Sequence, residues 1–239
     1  MSPWYRFIRA LAYALARLLW GLRVDGRENL PSTGPAIVAC NHVSNLDPPI
    51  LGAIVAREAG FVAKQELFAV PGLGWLIRSL NAIPIDRSRL SRETLDTLVE
   101  FLDGGRVLIL FPEGTRSRSG DLLPAKPGVG MLLVRRPVTV IPAYIEGTRS
   151  PLRNVFRRGR IRVVFGRPHA LPQDAESDSQ GRRDPRRIAE SILDAIRRVR
   201  DEVTPQGAGS PGTPEDRARA RSLRADELRI RDEGTEPEE

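Results

Sequence analysis

Apolar positions in the first twenty-two residues recur with a helical period. At about 100° per residue, Trp4, Phe7, Ile8, Leu11, Leu15, Leu18, Leu19 and Leu22 fall on one arc, and Arg6, Arg9, Tyr13 and Arg17 on the opposite one. Arg17 breaks the middle of the run, so the segment predicts an amphipathic helix at a membrane interface rather than a bilayer span. The competing reading is a helix packed on the protein's own core. A signal peptide fits less well, because the apolar run before Ala14-Leu15-Ala16 is short and broken by Arg6 and Arg9.

Beyond this helix the period changes. The burst Ala36–Cys40, after the turn-rich Pro31–Pro35, predicts a buried strand, and a helix is expected from Asp47 or Pro48 to Arg57. Short strands are expected at Gly60–Ala63, Ala82–Pro84, Val107–Phe111, Val138–Ala143 and Ile161–Phe165. Helices are expected at Gly74–Leu80, Leu90–Leu102, Gly128–Val134 and Pro185–Val203. Strands alternating with helices predict an α/β fold, a single domain with a mostly parallel or mixed sheet flanked by helices. The organisation expected is a membrane-associated helix (1–22), a folded body (23–204) and a disordered charged tail (205–239), whose Pro/Gly-rich opening reads as a linker.

Charge adds a partner class. The 239 residues carry a formal net charge of +7; residues 205–239 contribute −3, leaving +10 on the rest. A basic body suits anions: nucleic acid, a phospholipid surface or a phosphorylated substrate. No nucleic-acid recognition motif is present, so nucleic acid is not expected. Two histidines and one cysteine are too few for the usual His/Cys zinc site or for a disulfide framework.

The chemistry-bearing residues fall in four clusters. His42 follows a buried strand, with Asp47 five residues on; a turn into a helix N-terminus would let the carboxylate hold one imidazole nitrogen and leave the other as a general base. Read alone, that spacing suits a plain N-cap just as well. Phe111-Pro112-Glu113-Gly114-Thr115-Arg116-Ser117 follows the strand Val107–Leu110. Gly114 there permits a tight turn and Arg116 offers a planar fork for phosphate. Ile85-Asp86-Arg87 ends an apolar strand, making Arg87 a second phosphate candidate, with Lys64 a third cation. Val140-Ile141-Pro142-Ala143 puts a proline in an apolar strand, which implies an edge or bulge of the kind that walls a pocket. Cys40, two residues before His42, is the competing nucleophile, though buried packing is expected for it.

Taken together and in this order, the clusters resemble the glycerolipid acyltransferase family. Asn41, His42, Ser44 and Asp47 match its N-H-x-S-x-x-D block, and Phe111–Ser117 match F-P-E-G-T-R-S in full. The similarity also takes in Lys64–Glu66, Lys126-Pro127-Gly128 and Ile145–Thr148, and runs from about Leu22 to His169. It implies transfer of a fatty acyl group from acyl-CoA or acyl carrier protein to the free hydroxyl of 1-acyl-sn-glycerol 3-phosphate, giving phosphatidic acid, with no cofactor beyond the co-substrate. His42 and Asp47 would be catalytic. Arg87, Arg116 and Lys64 would bind phosphate. Glu113 would touch the glycerol end or an arginine, and backbone N–H groups near Gly114 and Thr115, or after His42, would face the oxyanion. The expected location is the cytoplasmic face of the cell membrane, held peripherally. Alternatives are a sister enzyme with another lyso-lipid or glycerol 3-phosphate as acceptor, a hydrolase, and a non-catalytic basic protein of the lipid surface.

Overall fold

The computed structural model describes residues 1–86, 91–156, 160–170 and 183–203. Seven strands build it: β1 (Arg23–Asp25), β2 (Ala36–Cys40), β3 (Ala59–Lys64), β4 (Ala82–Ile85), β5 (Val107–Leu110), β6 (Thr139–Glu146) and β7 (Arg162–Phe165). The helices are α1 (Pro3–Trp20), α2 (Asp47–Ile54), α3 (Leu73–Ser79), α4 (Arg92–Asp103), α5 (Gly128–Arg135) and α6 (Pro185–Val203). The strands form one sheet in the order β1-β7-β6-β2-β5-β3-β4. β6, β2, β5, β3 and β4 run parallel. β7 is antiparallel to β6, which makes the sheet mixed.

Both faces of the sheet are covered, so β2 and β5 read as unbroken apolar runs with every residue buried. One face packs Val38, Cys40, Val107 and Ile109 under Ile50, Leu51 and Ile54 of α2 and Ala16 of α1. The other packs Ile37, Ala39, Leu108 and Leu110 under α4, α5 and α6, with Leu98, Leu132 and Ile192 among the contacts. Gly130 lets α5 approach α6: a Cβ there would lie 1.8 Å from the Pro185 carbonyl oxygen.

α1 is capped as its sequence suggests. Ser2 Oγ accepts the Tyr5 N–H at 3.1 Å, Pro3 opens the first turn, and Gly21 closes it in the left-handed region. Its orientation was not legible beforehand. The side facing the body carries Tyr5, Arg9, Ala12 and Ala16, and the apolar arc is rotated about a quarter turn away, toward solvent. The Tyr5 hydroxyl donates to the Ala59 carbonyl at 3.0 Å and accepts the Ala59 N–H at 3.1 Å. Arg9, expected on an outward polar arc, donates to the Val55 carbonyl at 3.4 Å. The helix falls in one compact unit with the rest of the described fold, Met1–Val203.

One strand was not expected, and one expectation is met only in part. β1 has only three residues, too few for a periodicity signal. Pro142 is not at a sheet edge: β6 lies between β2 and β7, and Pro142 is paired in register with Ala39. On its other side the pairing slips by one residue, from Ala143↔Phe165 to Val140↔His169, so a bulge-like irregularity does lie beside it. Its carbonyl accepts the Gly166 N–H at 2.8 Å. The carbonyl and N–H of one strand residue face the same neighbour, so the missing donor faces the 166–169 stretch, beyond the end of β7 at Phe165. The pairing with β2 loses nothing. The expected tail at 205–239 lies outside the described residues.

Candidate active site

Parallel α/β sheets present reactive groups where strands end at their carboxyl edge. β2 stops at Cys40, and the next two residues behave differently. Asn41 turns its side chain onto β6, donating to the Ile145 carbonyl at 2.9 Å and accepting the Ile145 N–H at 2.7 Å. His42 then leaves the sheet. The Asp47 carboxylate, at the first position of α2, folds back on the turn. Its Oδ2 accepts the N–H groups of Val43 and Ser44, each at 2.7 Å, and lies 2.9 Å from His42 Nδ1. Its Oδ1 accepts the Thr148 hydroxyl at 2.6 Å. Asp47 is 0% exposed, so these four partners replace its water. With Nδ1 engaged as donor, Nε2 of His42 is left as the acceptor.

The Phe111–Ser117 turn grips His42 by its backbone. Glu113 Oε1 accepts the His42 N–H at 2.9 Å, and the Ser117 N–H donates to the His42 carbonyl at 2.8 Å. Phe111 stacks on the imidazole, ring centroids 4.1 Å apart at 22°. Glu113 had been expected to meet glycerol or an arginine. Instead it is buried, and its second oxygen accepts the Leu123 N–H at 3.0 Å. A carboxylate inside the protein must be met by donors, and here backbone donors take both oxygens. Burial pushes its pKa up, and the two N–H bonds pull part of that back.

Four N–H groups of the helix-entry turn are already engaged in this arrangement. The N–H groups of Val43 and Ser44 go to Asp47, that of Leu46 to Ser44 Oγ, and that of Asp47 to the Ser44 carbonyl. The Gly114 N–H goes to the Phe111 carbonyl. Cys40 packs on the α2 side of the sheet, whereas the space in front of His42 is lined from the other side. Burial pushes the Cys40 thiol well above its usual range. It is thus withdrawn from the imidazole and poorly ionised.

Two cavities flank the turn. The first, about 350 Å³, is lined by His42, Asp86, Gly114 and Lys126 together with apolar side chains, among them Val62, Leu98, Val129, Met131 and Leu132. None of residues 140–143 lines it, so the fourth cluster serves the sheet rather than a pocket wall. Lys126, which the sequence marks only through the family resemblance, lines this cavity together with His42. Gly114 has φ +63°, and a Cβ there would sit 2.7 Å from Lys126 Cδ. The signal was present in the sequence: Lys126 is one of only two lysines.

The second cavity, about 340 Å³, is polar and lined by Val43, Thr115, Arg116, Ser117, Arg118 and Arg149. Arg116 is joined there by two guanidiniums not singled out from sequence, and no carboxylate is among the lining residues. Arg149 also donates to the Ser119 carbonyl, which steadies it. Lys64 ends β3 exposed to solvent and lines neither cavity. Arg87 lies outside the described residues.

Comparison with known proteins gives a consistent picture. The family model described as Acyltransferase matches residues 21–146. The chain is 27% identical over 165 residues to the 1-acyl-sn-glycerol-3-phosphate acyltransferase of Bacillus subtilis, covering 69% of this chain and 81% of that one. It is 30% identical over 154 residues to the chloroplastic 1-acyl-sn-glycerol-3-phosphate acyltransferase LPAT1 of Arabidopsis thaliana, covering 62% of this chain but only 43% of the relative. The crystal structure of the 1-acyl-sn-glycerophosphate acyltransferase PlsC from Thermotoga maritima superposes with a TM-score of 0.62. The two share 29% identity, over 82% of this chain and 78% of that one.

Proposed function

Because the chain belongs to the Acyltransferase family, we propose that it moves a fatty acyl group from a thioester to the free hydroxyl of 1-acyl-sn-glycerol 3-phosphate, releasing phosphatidic acid. The observation that carries this is the His42–Asp47 pair, 2.9 Å apart and buried, with His42 lining a largely apolar cavity.

The acceptor hydroxyl is a weak nucleophile and must lose its proton as it attacks. His42 Nε2 takes that proton while Asp47 holds Nδ1–H and stabilises the imidazolium. The imidazolium then returns the proton to the departing thiolate. The arrangement is a Ser-His-Asp triad with the substrate's hydroxyl in place of serine. No acyl-enzyme forms, and Cys40 takes no part. General-base action of this kind contributes about 10²–10⁴-fold. The reaction calls on no cofactor beyond the acyl donor, acyl-CoA or acyl carrier protein.

The apolar cavity suits the acyl chain, with Lys126 among its lining residues for an anionic group. The arginine-lined cavity suits the acceptor phosphate, where Arg116, Arg118 and Arg149 offer planar forks. Arg87 is a further candidate from the sequence. Glu113 positions His42 rather than touching substrate.

Among the described residues no helix is long and apolar enough to cross a membrane. The outward apolar arc of α1 supports peripheral attachment to a lipid surface, on the face where soluble donors and the lipid acceptor meet. The deciding experiment incubates purified protein with acyl-CoA or acyl carrier protein and a panel of lyso-acceptors, with mass analysis of the products. Phosphatidic acid formed by wild type and not by His42→Ala supports the reading; free fatty acid alone would favour a hydrolase.

A further inference from the structure

The most exposed large apolar side chains gather in three segments that are far apart in sequence. On α1 they are Trp4, Phe7, Leu11, Leu15 and Leu18, the last 72% exposed. On α3 the chief one is Trp75, 62% exposed. In the turn after β6 they are Leu152 and Phe156, at 87% and 77%. Hydrogen bonds and ring contacts join them. Trp4 Nε1 donates to Ser79 Oγ at 2.9 Å, and its ring lies 5.4 Å from that of Trp75. At the other end of α1, the Phe156 N–H donates to the Leu19 carbonyl at 2.6 Å and Trp20 Nε1 to the Pro151 carbonyl at 2.8 Å. Phe156 has φ +60°, which a bulky residue rarely adopts. A strained, water-exposed phenylalanine costs folding energy and gives no packing in return.

We infer that Leu152 and Phe156, with α1 and Trp75, form one continuous face that seats on an anionic lipid bilayer, and that this turn anchors the membrane beside the catalytic edge of the sheet. The charge pattern selects this occupant. The three stretches Met1–Val24, Leu67–Ile85 and Gly147–Phe156 contain no acidic residue, while Arg6, Arg17, Arg78 and Arg153 lie within them and are exposed. Apolar side chains in stretches whose charged side chains are all arginine complement acyl chains under anionic headgroups. The register supplies the position. Arg23, just past α1, pairs with Arg162, and Arg162 pairs with Glu146 at the carboxyl end of β6. β6 runs parallel to β2, so the turn stands at the same edge of the sheet as His42. A lipid acceptor then leaves the bilayer next to the base that activates it.

The inference rests on the lipid-surface reading of α1, and the test separates the two. The full chain is sedimented with vesicles of phosphatidylglycerol and phosphatidylcholine, and with phosphatidylcholine alone. A turn variant, Leu152→Ser/Phe156→Gly, relieves the positive φ and keeps the fold. A helix variant, Leu15→Ser/Leu18→Ser, changes only exposed positions. Thermal melting confirms that both are folded. Each variant is expected to bind anionic vesicles at least about tenfold more weakly, since each loses two large side chains from the acyl boundary. The turn variant should also show a raised KM for vesicle-borne acceptor and unchanged turnover of a dispersed short-chain acceptor. If only the helix variant loses binding, the turn is not on the lipid plane and the inference falls. If neither does, the reading of α1 falls with it. A dimer of the wild type that the turn variant breaks would make this face a protein interface and overturn the inference.

Discussion

Glu113 Oε1 accepts the backbone N–H of His42 at 2.9 Å, while Ser117 donates to the carbonyl of the same residue. Both backbone polar groups of the proposed base are therefore held by the turn after β5, a separate strand. Glu113→Gln keeps one acceptor but turns an amide donor toward an N–H. It should lower stability by about 1–3 kcal/mol and depress kcat more than KM, read from melting curves and initial rates. The sign of its pH effect is also fixed. A carboxyl with a raised pKa binds its proton more tightly when folded, so it makes stability fall as pH rises through and above the usual glutamate range. That part of the fall should be missing from Glu113→Gln.

Asp47→Asn leaves the turn able to accept from backbone N–H groups but cannot stabilise an imidazolium. Transfer should drop by about 10²–10⁴-fold, and His42→Ala should drop at least as far. A folded His42→Ala protein with near-normal turnover would refute the mechanism.

Arg149→Ala and Arg116→Ala should each raise the KM for the lyso-acceptor by about 10–10²-fold, a loss of roughly 1.5–3 kcal/mol of charged hydrogen bonding. The KM for the acyl donor should move little. Lysine should rescue only in part, because it lacks the fork. Equal effects on both substrates would mean that the arginines hold the site together instead of binding the acceptor phosphate.

Cys40→Ser should retain most activity, since the thiol packs away from the imidazole beside Asn41 Oδ1 at 3.4 Å. A thiol reagent should label Cys40 only as the protein unfolds. Rapid labelling of the native enzyme together with loss of turnover would restore cysteine as a nucleophile.

Met131→Trp puts a larger side chain on the wall of the apolar cavity. The ratio of short-chain to long-chain donor turnover should rise, measured with a series of acyl-CoA thioesters. An unchanged ratio would show that the acyl chain lies elsewhere.

The sheet and the His42–Asp47 pair were legible because each rests on local pattern: an apolar run, a turn, then a helix start with two prolines. What escaped depends on distant parts of the chain. Thr148 reaches Asp47 across 101 positions, and Arg149 follows it into the arginine cavity. Glu113 was misread because its partners are backbone N–H groups, which no side-chain alphabet announces. For Pro142 the edge alternative fails and the irregular pairing stands, because its missing donor faces the 166–169 stretch where the register slips, and no single-residue rule says which neighbour that is. For α1, periodicity defined the apolar arc but not the body it would turn away from.

Asn41 carries one more consequence. Its side-chain amide takes both backbone groups of Ile145, which in a longer parallel β2 would have bonded to two separate strand residues. The sheet therefore continues by one rung in hydrogen bonding after the polypeptide itself has turned away. The anchoring point of the imidazole is thus hydrogen-bonded into the sheet as a strand residue is. Aspartate at 41 would lack the donor and glutamine would overreach, so this position tolerates fewer side chains than the base it supports would by itself require.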